Sequence, residues 1–117
     1  MSKCCSEDGK SGKLPHSRAV RLDKQVEYAG GSIVSRTIID SEAGSVTLFA
    51  FDAKQNLSEH TAPFDALVQV LDGRMELTIG GEKVIAETGM SVIMPADVPH
   101  ALKAAEKSKV LLVMIKG

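Results

Sequence analysis

From Val20 onward the chain is a succession of short runs of β-branched and apolar residues, each closed by a glycine or another turn residue. None of these runs repeats at helical spacing for long enough to bury a helix face. This punctuation constrains the fold more than any other feature of the sequence. Candidate strands are residues 33–39, 45–51, 66–71, 74–79, 83–86, 91–94, 100–105 and 110–116. Between them stand Gly30-Gly31, Glu42-Ala43-Gly44, Asp72-Gly73, Gly80-Gly81, Thr88-Gly89 and the stretch 96–99, and glycine in such positions supplies the positive backbone angles of tight hairpins. Within 74–79, Met75, Leu77 and Ile79 alternate with Arg74, Glu76 and Thr78, the pattern of a strand with one wet face. Residues 68–71 and 110–115 are apolar on nearly both sides, as expected of strands inside a double-layered structure. About eight antiparallel strands in roughly 95 residues predict an all-β protein, an antiparallel jelly-roll barrel.

A chain of 117 residues with 44% hydrophobic residues holds one compact core and no second domain. Residues 1–17, rich in Ser, Lys and Gly, are expected to form a flexible N-terminal arm, with the barrel domain over 18–117. Cys4 and Cys5 lie in that arm and read as reduced thiols, since neighbouring cysteines bridge each other only with strain. His16 reads as a solvated surface histidine. Fourteen basic and 15 acidic residues are interleaved to a net charge of −1, which leaves no field to hold a phosphate backbone or an anionic bilayer, so neither nucleic acid nor membrane is an expected partner. The longest apolar run, 110–115, is far short of a membrane span, and the first ten residues lack the apolar block of a signal peptide. A cytoplasmic location is the expectation.

Two stretches carry the candidate chemistry. Residues 58–73 read Ser-Glu-His-Thr-Ala-Pro-Phe-Asp-Ala-Leu-Val-Gln-Val-Leu-Asp-Gly, and residues 89–100 read Gly-Met-Ser-Val-Ile-Met-Pro-Ala-Asp-Val-Pro-His. They resemble the two motifs of the cupins, a family of small jelly-roll barrels. The first motif runs Gly, five residues, His, one residue, His, three or four residues, Glu, six residues, Gly; the second runs Gly, five residues, Pro, one residue, Gly, two residues, His, three residues, Asn. His60 and Gly73 match the first, Gly89, Pro95 and His100 match the second, and 15 residues separate them. The departures are Lys54 for the opening glycine, Ala62 for the second histidine, Ala66 for the glutamate, Asp97 for the inner glycine and Ala104 for the asparagine. The resemblance implies a barrel with a site between its sheets, one divalent transition metal (Fe, Mn, Zn or Ni) where the ligand set is complete, and a homodimer formed through strands near the N-terminus, here 33–39.

Side chains alternate along a strand, so His60 and Ala62 are expected to face one way, and Ala66 and Val68 to share the inner face of the next strand. With His100 these five are the candidate ligand-binding residues. His60 and His100 are also the candidate metal ligands. Asp65 joins them if a bulge near Pro63 turns it inward, whereas Glu59 and Gln69 have the parity of outward-facing positions. Phe49 and Phe51 read as core first and as pocket walls second, and Met75, Met90, Met94 and Met114 as adaptable filling. Three functions are consistent with this pattern: a small-molecule-binding cupin module with a two-histidine pocket, a metal-dependent cupin enzyme of dioxygenase or isomerase type using the two histidines, and a non-catalytic structural or interaction protein. The loss of a carboxylate removes both a ligand and the obvious general base, which favours the first.

Overall fold

The computed structural model describes residues 14–116. Nine antiparallel strands follow a 3₁₀ turn at Leu22–Lys24: β1 Ile33–Ser41, β2 Gly44–Phe51, β3 Asn56–His60, β4 Ala66–Asp72, β5 Arg74–Ile79, β6 Glu82–Glu87, β7 Ser91–Met94, β8 His100–Ala104 and β9 Ser108–Ile115. They form a five-stranded sheet in the order β1-β2-β9-β4-β7 and a four-stranded sheet in the order β3-β8-β5-β6. The two sheets face each other across one core, the layered arrangement of a jelly roll. Sequence periodicity locates eight of the nine strands and misses β3. Its residues, Asn-Leu-Ser-Glu-His, include one apolar side chain, so neither an apolar run nor an alternation marks it.

Alternation builds the core. Phe51, Val68, Val70 and Val110 from the larger sheet meet Met75, Leu77 and Ala104 from the smaller one, and all are essentially fully buried. The hairpin β5–β6 turns through Gly80 and Gly81, both at positive φ (58° and 86°) between the paired Ile79 and Glu82, the geometry of a type I′ turn. Gly73, which closes the first motif, has φ +91° and no room for a side chain. A Cβ there would lie 2.3 Å from the Lys107 carbonyl oxygen and 2.5 Å from Ser108 Oγ. The fully buried Ser108 hydroxyl accepts the Arg74 amide at 3.0 Å and donates to the Glu106 carbonyl at 2.8 Å, tying the start of β9 to the start of β5.

The outward faces of the sheets differ. That of the four-stranded sheet is mostly polar, with Glu76, Thr78, Lys83 and Lys103 around a shallow groove and the exposed Ile85 beside Glu76. Part of the larger sheet's outer face is covered by the segment preceding β1, whose Leu22, Val26 and Tyr28 pack on Val34, Leu48, Ala50, Leu71 and Leu111. The segment is fastened by polar contacts as well. Tyr28 donates to Asp72 at 2.8 Å, Lys109 donates to the Asp23 carbonyl at 2.6 Å, and the ammonium groups of Lys109 and Lys107 lie 4.9 and 5.6 Å from the Tyr28 ring centre. Beyond this strap, one row of paired residues crosses all five strands: Ile39, Val46, Val113, Leu67 and Ile93. Ile39 is 59% exposed and Ile93 62%, so the row stands open to solvent at both ends. Among the described residues no helix is long and apolar enough to cross a membrane. Cys4 and Cys5, and most of the arm expected over 1–17, lie outside the described residues; His16 is exposed.

Candidate functional site

A cavity of about 290 Å³ lies between the sheets beside β3. Its wall is apolar: Phe49, Ala66, Val68, Val110, Leu112, Met94 and Met114 from the larger sheet, Leu57 and Leu102 from the smaller one, and Ala62 and Phe64 from the connection between β3 and β4. Among the described residues the other two that line it are His60 and His100, and they are together. They are cross-strand partners on β3 and β8, with Nε2 atoms 3.1 Å apart, ring centres 4.4 Å apart and ring planes inclined at 75°. His60 is exposed and sits at the rim, while His100 is 4% exposed and lies inside.

A β-bulge places His60. Leu57 pairs with Leu102 and His60 with His100, so β3 uses three steps where β8 uses two. Without the extra residue, Leu57 and His60 would lie on opposite faces; with it both face the cavity. The bulge also supplies the anchor for the ring, because His60 Nδ1 lies 2.8 Å from the carbonyl of Ser58. His100 is held in the same way, its Nδ1 3.1 Å from the carbonyl of Val98. Burial pushes the pKa of His100 below the ordinary histidine value; the Val98 carbonyl partly opposes this by stabilising the imidazolium, and the neighbouring His60 adds to the depression.

Ala66 and Val68 reach the cavity by strand alternation on β4 and are buried. Ala62 reaches it by another route than the expected one. β3 ends at His60, and Ala62 belongs to the connection, held where its carbonyl accepts the Asp97 amide at 2.7 Å. Asp65 does not enter. The irregularity foreseen near Pro63 falls instead at Ser58 and Glu59, and the Asp65 carboxylate accepts the Ala96 amide at 2.8 Å beside the outward-facing Leu67, Ile93 and Val113. Glu59 and Gln69 are likewise absent from the lining. Sequence reasoning overlooked Phe64 and Leu57. Met114, Leu112 and Val110, by contrast, form a visible alternating series along β9 whose facing depends on the partner strands.

The donors present do not make a site for a resident divalent transition metal. Such ions ordinarily take three or four protein donors, and among the described residues no group of three His, Cys, Asp or Glu side chains converges anywhere. Two imidazoles in an apolar wall are instead a pair of polar atoms set to orient something otherwise greasy.

A two-sheet jelly roll with an apolar pocket between its layers and a pair of adjacent histidines in the pocket wall defines a class of small barrel proteins. The model of the cupin domain matches residues 47–116, and the chain belongs to the cupin family. Solved structures agree. A conserved protein of unknown function from Streptococcus pyogenes is 34% identical, with 89% of this chain and 91% of that one covered and a TM-score of 0.85. A cupin 2 conserved barrel domain protein from Leptotrichia buccalis is 38% identical over 80% of this chain and 46% of that one, with a TM-score of 0.77. A cupin superfamily protein from Desulfitobacterium hafniense, 23% identical over 89% of this chain and 95% of that one, shares the fold with a TM-score of 0.84. The comparison with curated proteins returned no match.

Proposed function

We propose that this chain is a small-molecule-binding cupin module, that its ligand occupies the cavity between the sheets, and that it works as a homodimer. The observation that carries the binding reading is the composition of the cavity wall: eleven apolar side chains and two adjacent imidazoles, in a space of about 290 Å³. That volume is at the small end of ligand pockets, which fits a molecule the size of one substituted ring. A nucleotide or a sugar would leave its many polar groups unpaired against this wall. Among the described residues the wall carries no carboxylate, hydroxyl or thiol beside the imidazoles, which favours a reading of binding.

The test is thermal unfolding monitored against a panel of small apolar ring compounds. Binding to the folded state alone raises the midpoint, and Ala66→Phe, which fills the cavity from a buried position on β4, is expected to abolish the shift. A panel that moves neither protein rejects the reading. The homodimer is supported by the open apolar row from Ile39 to Ile93 and by β1, which among the described residues is an edge strand paired with β2 alone.

A further inference from the structure

Each imidazole of the cavity has its Nδ1 against a backbone carbonyl, Ser58 for His60 at 2.8 Å and Val98 for His100 at 3.1 Å. A carbonyl oxygen accepts and never donates, so each Nδ1 must carry the ring hydrogen. In the neutral rings both Nε2 atoms are then bare acceptors, and they stand 3.1 Å apart. That separation is a hydrogen-bond distance with no hydrogen in it. A neutral ring can supply one only by changing tautomer, which turns its Nδ1 lone pair against the carbonyl it now serves. The lining offers no hydrogen either, since every other side chain in it is a hydrocarbon or a thioether. The rings also meet at an angle, with centres 4.4 Å apart and planes inclined at 75°, so their lone pairs do not point end to end. His60 is exposed and His100 buried, and both line the cavity.

We infer that the pocket selects an apolar ligand by a single hydrogen-bond donor at its head, a phenol or alcohol hydroxyl whose hydrogen is received between His60 Nε2 and His100 Nε2. This rests on the binding reading above and adds to it the chemistry of the ligand's polar end. A head group that only accepts, an ether or a ketone, would bring a third lone pair to a place that already has two. A hydrocarbon of the same shape would fill the wall and leave the imidazole pair as it was. The hydroxyl is preferred because the acceptor on the buried His100 is left unmatched by the ligand when the hydroxyl is missing.

The experiment compares three probes of nearly equal shape, 4-ethylphenol, 4-ethylanisole and ethylbenzene, by calorimetry above the ordinary histidine titration range. It is joined to ¹⁵N spectra of the histidine rings. The phenol is expected to bind roughly tenfold more tightly than either of the others, the factor for one well-made hydrogen bond. The free protein should show both rings in the Nδ1–H form, and phenol should shift the two Nε2 resonances together. In His60→Phe, altered at an exposed position, one of the two acceptors is gone and the preference for the phenol should fall to what His100 alone provides. Equal affinity for phenol and anisole, or an Nε2–H tautomer in the free protein, would overturn the inference and leave the binding reading standing. Failure of all three probes would overturn both.

Discussion

Lys54 and Asp97 stand where the cupin motifs place glycines, and both retain the backbone that glycine would adopt, with φ of +70° and +64°. The turns have been kept and the residues suited to them have not. A side-chain-bearing residue in the left-handed region is disfavoured by roughly 1–2 kcal/mol, least for Asp and Asn. Lys54→Gly is therefore expected to stabilise the fold by about 0.5–1 kcal/mol once glycine's extra chain entropy is subtracted, and Asp97→Gly to be neutral within about 0.5 kcal/mol. Urea midpoints at constant slope decide this, and a destabilised Lys54→Gly would mean that the lysine side chain contributes something the backbone angle conceals. Gly73 is the converse case. Strained φ combines there with backbone and Ser108 atoms closer than a Cβ tolerates, so Gly73→Ala should cost about 3 kcal/mol or more, visible as a large fall in the same midpoint. At this scale the sequence was readable where a residue's place follows from strand parity, as for Ala66 and Val68 on β4. It was not readable where parity breaks. Leu57 and His60 share a face only because β3 bulges between them, and no residue in Ser58-Glu59 announces a bulge.

β3 and β8 together position the imidazoles, and burial on β8 links that site to stability. His100 is held below its usual pKa, so the unfolded chain binds the proton more readily than the folded one. Its contribution is present in full above the unfolded-state histidine pKa of about 6.5 and is lost as pH falls from there through the lower, folded-state value. Unfolding followed across that window should show stability declining with acid, and the decline should be much reduced in His100→Leu. An unchanged slope in that variant would remove His100 as its source. The strap before β1 supplies a second element-scale prediction. Tyr28→Phe keeps the ring beneath the two ammonium groups and removes the bond to Asp72, at an expected cost of about 1 kcal/mol. β3 and the strap were the parts hardest to read in advance, and for one reason. Each has few apolar residues of its own and is ordered by what it lies against, β8 for one and the outer face of β2 and β9 for the other.

Over the whole molecule, the layered all-β architecture was legible because eight strands carry their own turns and alternation, and because the apolar stretches of β4 and β9 had to lie inside a sheet covered on both sides. Which surface covers the outer side of β9 was not legible. The strap covers one half, and the other half is the row ending at Ile39 and Ile93. In the proposed homodimer that row is the contact, so sedimentation at tens of micromolar should give a dimer, and Ile93→Glu a monomer with its thermal midpoint little changed. A wild-type monomer under those conditions would reject the arrangement.

The strap has one more consequence, and it is optical. The chain contains no tryptophan, and Tyr28 is its single tyrosine. That ring lies on the strap and not in the core, with its hydroxyl on Asp72 and two lysine ammonium groups beside it. Near-ultraviolet emission from this protein therefore comes from one site outside the sandwich. A change in that emission which precedes the loss of β-sheet circular dichroism would record the strap lifting from an otherwise intact barrel, with no label attached.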